Sequence, residues 1–173
     1  YFAVDKFVLE PQREARENLE AARELAAATQ EAREEGRAEA LGASNGENAI
    51  AVLAFEDMSP EGDQGYLSDG FAEEVLNLLV KVPNLSVISR SSAFSFKGKD
   101  IEIPEIARRL GVNYVLEGSV RKAGDEVRIT VQLIEARSDT HVWSETYDRV
   151  LENIFAVQDE IAGKVVEQLK VQL

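Results

Sequence analysis

His141 is the only histidine among 173 residues, and cysteine is absent. A hydroxyl nucleophile would therefore have one imidazole to call on, and no multi-histidine or thiolate metal centre can assemble within one chain. A lone His in an alternating apolar and polar segment reads as a sheet residue, although an imidazole is a residue type suited to proton transfer. Three acids, Asp57, Asp63 and Asp69, fall near the first strand-to-helix crossing, where open α/β sheets often bind ligands. Their spacing does not match an EF-hand loop. Two readings of the loop 56–69 stand side by side. One is a solvated acidic connection, and the other is a small-ligand, nucleotide or cation site of a receptor or enzyme domain. The glycine-rich phosphate cradles of P-loop and dinucleotide-binding proteins are missing. The sequence thus nominates no catalytic, cofactor-binding or metal-ligating residue, and no cofactor.

The richest contact chemistry lies in Ser89 to Lys99, which holds hydroxyls, three cations and two aromatics. Arg90, Ser91, Ser92, Phe94, Phe96 and Lys97, together with Asp69, form a candidate partner-binding surface, because Arg and aromatic groups supply contact energy at interface centres. The competing reading makes Phe94 and Phe96 core anchors while the cations face water. Trp143 reads as sheet packing.

The elements that must position these groups centre on Tyr114 to Tyr147. In Glu126 to Ile134, Val127, Ile129, Val131 and Leu133 point one way while Arg128, Thr130 and Gln132 point the other, the mark of a half-buried antiparallel strand. Tyr114 to Arg121 precedes it across a short turn containing Gly124, and His141 to Tyr147 follows it, giving a three-strand meander. Upstream, Ala49 to Phe55 is apolar on both faces, as an interior parallel strand should be. Leu67, Phe71, Val75, Leu78, Leu79 and Val82 repeat at helical spacing, and Pro83 stops them. Leu85 to Ser92 reads as a second strand, Pro104 opens a short helix closed by Gly111, and Ile154, Val157, Ile161, Val165 and Leu169 mark a last amphipathic helix. The expected fold class is α/β: a long N-terminal helix, then β-α-β-α-β-β-β-α with a five-stranded mixed sheet.

Residues 10–41 are rich in Ala, Glu and Arg and predict one long helix. Its apolar stripe is thin, so it serves as a solvated spacer, or it pairs with the domain or with a second copy as a homodimer. Residues 42–48 have linker composition, and the folded module is placed at 49–173. Tyr1 to Leu9, an apolar run meeting charge, reads either as a terminal segment packed on the domain or as the exit of a membrane helix. With 19 basic against 32 acidic residues, the net charge of -13 disfavours direct binding of nucleic acid at this domain.

Six blocks in order carry a likeness to a bacterial family. They are Ala49 to Ser59, Ser68 to Glu74, Ser89 to Phe94, Leu116 to Arg121, Trp143 to Arg149 and Phe155 to Ile161. Over roughly residues 49–170 the chain resembles the TolB amino-terminal-like or FlgO-like domain. That resemblance implies a protein-interaction module without chemistry of its own. It implies a place between a cytoplasmic output domain, either a winged-helix domain or an adenylate cyclase, and tetratricopeptide repeats. It further implies a membrane helix upstream of residues 1–9, and hence a periplasmic domain of a membrane-anchored signalling protein. Partners would be another protein or the tetratricopeptide repeats of the same chain. The segment 10–41 lies outside the shared pattern.

Overall fold

The computed structural model describes the backbone of residues 3–171 and the side chains of 13–169. The side chains behind the membrane-exit reading of residues 1–9 lie outside the described residues. Two compact units are present, Tyr1–Arg37 and Ala38–Leu173. The first is helical from Ala3 onward, as part of α1 (Ala3–Asn45). Its described side chains are exposed, including Leu19 and Leu25, which follows from a stripe made chiefly of alanine. Among the described residues no helix is long and apolar enough to cross a membrane.

The second unit carries β1 (Ala49–Val52), β2 (Glu56–Asp57), α2 (Gly65–Val80), β3 (Ser86–Val87), α3 (Arg90–Phe94) and α4 (Ile103–Leu110). These are followed by β4 (Tyr114–Ala123), β5 (Glu126–Glu135), β6 (Thr140–Val150), one 3-10 turn at Leu151–Asn153 and α5 (Ile154–Val171). The sheet order is β3-β1-β4-β5-β6. β1 runs parallel to β3 and β4, and β4, β5 and β6 form the antiparallel meander. The expected mixed α/β architecture is observed, with one addition. β2 pairs parallel with β4 above the end of β1, making a sixth, two-residue strand.

Alternation along the meander settles which face is buried. Val127, Ile129, Val131 and Leu133 are at most 2% exposed and pack with Ile50, Val52, Leu116 and Val120 under α2 and α5. The five residues that mark α5 in the sequence, Ile154, Val157, Ile161, Val165 and Leu169, are all buried in that core. On the opposite face, Ala49, Ala51, Leu53 and Val115 pack under α3 and α4, with Ile106, Ala107 and Leu110. That second layer stops at β4. Beyond it the face is polar, with Arg128 and Thr130 on β5 set against Asp148 and Thr146 on β6, including an Arg128 Nε to Asp148 Oδ1 ion pair at 2.7 Å.

Two local expectations are corrected. The linker expected at 42–48 is helical as far as Asn45, because the end of α1 is docked: Ala38 is buried, and Asn45 Nδ2 donates to the carbonyls of Leu110 and Gly111. Those contacts outweigh the poor helix propensity of Gly42. Gly46, at φ +78°, then releases the chain. The strand expected over Leu85 to Ser92 is only Ser86–Val87. Ser89 adopts extended φ/ψ and its hydroxyl accepts from the Ser92 amide, so it caps α3 and ends the pairing.

Candidate functional site

The connections of β1 decide where a site can form. From β1 the chain leaves through α2, on one face, to β3. From β3 it returns through α3 and α4, on the other face, to β4. β1 is therefore flanked by strands reached over opposite faces, and the crevice beyond its carboxyl end is the topological switch point of the sheet. A cleft of about 620 Å³ occupies this place. One wall is the chain after β1, Leu53 to Met58. The other is the α3–α4 connection, with Phe96, Lys99, Ile101 and Ile103. The floor is the open face of the meander, where Glu117 stands opposite Gln132 and Ser119 opposite Thr130.

The loop 56–69 is tied back on itself. Asp57 accepts from the amides of Ser59 (2.9 Å) and Gln64 (2.7 Å), and the Ser59 hydroxyl first, then these amides, hold its carboxyl below the usual range. Ser59 in turn receives the Lys122 amide at 3.0 Å, fastening the loop to β4. Asp63 accepts from Gln64 Nε2, and Asp69 is gripped by Lys97 at 2.6 Å through both oxygens. The three acids that the sequence grouped are thus engaged separately. Among the described residues no group of three His, Asp or Glu side chains is arranged to hold a metal ion.

The surface expected at 89–99 comes together in part. Arg90 Nε pairs with Glu73 at 3.0 Å and its guanidinium lies 4.7 Å from the centre of the Phe94 ring. Phe94 and Phe96 are half-buried against the sheet, as in the anchoring alternative, whereas Arg90, Ser91, Ser92 and Lys97 are exposed. Lys97 joins this patch to Asp69 and also borders the cleft, so the two regions singled out in the sequence meet along one rim. His141 is exposed on β6, and Trp143 is half-buried against the larger core.

Glu117 escaped notice in the sequence. It is half-buried on the cleft floor, and burial first, then the charge of Glu56, push its carboxyl up, with His141 opposing. It makes no hydrogen bond or ion pair with any other described residue. The signal was an acid inside Leu116-Glu117-Gly118, a strand otherwise dense in apolar groups.

Residues 46–164 match the family described as the HilA/YgeH-like transcriptional regulator, second domain. The chain belongs to that family. A Rhizobium meliloti (strain 1021) protein named "Putative adenylate cyclase 3" is 50% identical over 125 residues, which is 72% of this chain and 21% of that protein. The chain thus spans about a fifth of that relative's length. Among solved structures, TolB from Acinetobacter baumannii superposes with a TM-score of 0.53 at 14% identity, covering 72% of this chain and 28% of TolB. Lipoprotein GNA1162 from Neisseria meningitidis gives 0.51 at 17% identity, over 66% of this chain and 96% of its own. The HilA/YgeH-like domain therefore shares the TolB-type fold that its sequence blocks resemble.

Proposed function

We propose that this HilA/YgeH-like domain is a non-catalytic protein-interaction or sensory module of a membrane-anchored bacterial regulatory protein. One observation carries the reading. At the switch point, where α/β enzymes converge reacting groups, Asp57, Asp63 and Asp69 are engaged by backbone amides, Gln64 and Lys97, leaving an open cleft bordered by contact groups. The family's description as a regulator's second domain, and a relative named as a cyclase of which the match spans a fifth, support an output activity that lies outside these residues.

The finer reading belongs to the same proposal. The domain is FlgO-like and sits on the periplasmic side of the inner membrane, tethered by a helix upstream of Tyr1. Its partner is another protein or tetratricopeptide repeats of the same chain, and it does not bind nucleic acid. Residues 10–41 act as a spacer or join two copies. The test is a thermal-shift series with ATP, Mg2+, Mn2+ and Ca2+, paired with a cyclase assay on the purified chain. The expected result is no saturable stabilisation and no turnover, since a ligand of the folded state raises stability by mass action. The second reading, a small-ligand or cation site, draws on Glu56, Asp57 and Met58 lining the cleft. Saturable stabilisation by a nucleotide or ion would favour it over the first.

A further inference from the structure

We propose that the cleft at the end of β1 receives a basic side chain, arginine or lysine, carried on an extended segment of a partner protein, with Glu117 as its counter-ion. This deepens the protein-interaction reading and rests on it. The cleft is concave and its volume, about 620 Å³, falls in the range of sites that enclose a ligand group rather than touch it. Its walls supply Phe96, Ile101 and Ile103 for the methylene stem, and its floor offers the polar groups of Gln132 and Ser119 beside the carboxylate. A side chain with an apolar stem and a cationic head matches that order of surfaces.

Charge selects the sign of the occupant. Lys97, on the rim, is neutralised through both oxygens of Asp69, and Lys99, on the cleft wall, holds its ammonium 5.7 Å from the centre of the neighbouring Phe96 ring. Asp57 is consumed by the amides of Ser59 and Gln64. What remains at the floor is Glu117, with Glu56 on β2 and Asp139 in the β5–β6 turn adding negative potential and His141 on β6 opposing it. Half-buried and without a hydrogen-bonding partner among the described residues, Glu117 gains from a guanidinium or ammonium what its surroundings withhold. The same arrangement makes docking stronger as pH rises through the elevated Glu117 pKa and weaker below it.

The test uses the full 173-residue chain, 15N-labelled, titrated with a five-residue peptide whose central arginine is flanked by leucines. A matched peptide has uncharged citrulline in the arginine's place, and agmatine serves as a free small cation. The expected result is saturable amide shifts at Glu117, Ser119, Gln132, Phe96 and Ile101. Affinity should fall roughly tenfold for the citrulline peptide and for the Glu117→Gln protein, the loss expected for a charged hydrogen bond. The rest of the Glu117→Gln spectrum, unchanged, shows that the fold is intact. Equal binding of the citrulline peptide, indifference to Glu117→Gln, or no saturable shift would overturn the inference. Agmatine binding as tightly as the peptide would overturn the assignment to a protein segment in favour of a small amine. Shifts confined to Arg90 and Lys97 would sink the cleft inference while leaving the interaction module standing. The nucleotide and ion series above addresses that module separately.

Discussion

Replacing Gly118 with alanine should unsettle the floor of the cleft through two collisions, with the Thr130 carbonyl and with the Phe55 ring. Gly118 faces Val131 across β4 and β5, and a Cβ there would sit 2.7 and 2.9 Å from two ring carbons of Phe55. Phe55 is 1% exposed and packs on Phe71 with ring centres 5.7 Å apart, so its ring has little room to retreat. Alanine would otherwise favour the strand over glycine by about 0.5–1 kcal/mol. Overpacking of this kind costs about 1–3 kcal/mol, and its upper half applies where a backbone carbonyl is among the atoms struck, so the net loss should be about 1–2 kcal/mol. For a domain of this size that lowers Tm by roughly 2–8 °C. Phe55→Leu alone removes buried ring volume and should itself cost about 1–2 kcal/mol. In the double variant the smaller side chain makes room for the new methyl, and the combined loss should fall short of the sum by about 1 kcal/mol. Rescue stays partial because the Thr130 carbonyl also borders the site. Urea unfolding followed by the fluorescence of Trp143, the only tryptophan and packed against the same core, measures all three variants. A neutral Gly118→Ala, or strict additivity, would refute the reasoning.

Gly111 and Gly124 offer a contrast. Both have φ near +60°, but a Cβ at Gly111 would meet the backbone of Leu41 and Gly42 at 2.6–2.7 Å, whereas Gly124 faces open space. Gly124→Ala should cost about 1 kcal/mol of left-handed strain, and Gly111→Ala clearly more, with loss of amide-exchange protection in residues 38–45. Glu105, bonded to Arg108 and Arg109, has its carboxyl held down to about 2. Because the folded pKa is the lower one, its contribution is present above about 4.5, the unfolded range, and is lost as pH falls from there towards about 2. A carboxyl NMR titration locating the midpoint near 4.5 would contradict this, and solvent exposure limits the stability involved to under about 1 kcal/mol. Arg90→Ala should likewise change stability by less than about 1 kcal/mol in the urea assay, since both members of its ion pair are more than two-fifths exposed. A larger loss would mean that the segment braces the fold rather than offering a contact surface.

The elements that were legible in the sequence are those whose side chains report their own surroundings. Val127, Ile129, Val131 and Leu133 announce a one-sided strand by a two-residue period, and Ile154 to Leu169 announce a covering helix by a 3.6-residue period, because each element must bury one face. Pro104 and Gly111 bracket α4 for reasons local to the chain, a missing amide and a left-handed φ of +65°. The end of α1 was not legible. Gly42 to Asn48 has the composition of a linker, and only the docking of Asn45 on Leu110 and Gly111, 65 and 66 residues away, holds its first part helical.

The candidate site divides in the same way. Residue types alone showed that this stretch has one imidazole, no thiol and no phosphate loop, together with a cluster of cations and aromatics at 89–99. Which acids are spent and which remain is a tertiary matter. Asp57, Asp63 and Asp69 look equivalent along the chain, yet one turns to backbone amides, one to its neighbour Gln64 and one to Lys97, while Glu117 faces a cleft shared by two distant connections. Periodicity states which face of an element is buried, because burial repeats with the element. It does not state what comes to lie above that face, because that depends on where the chain returns.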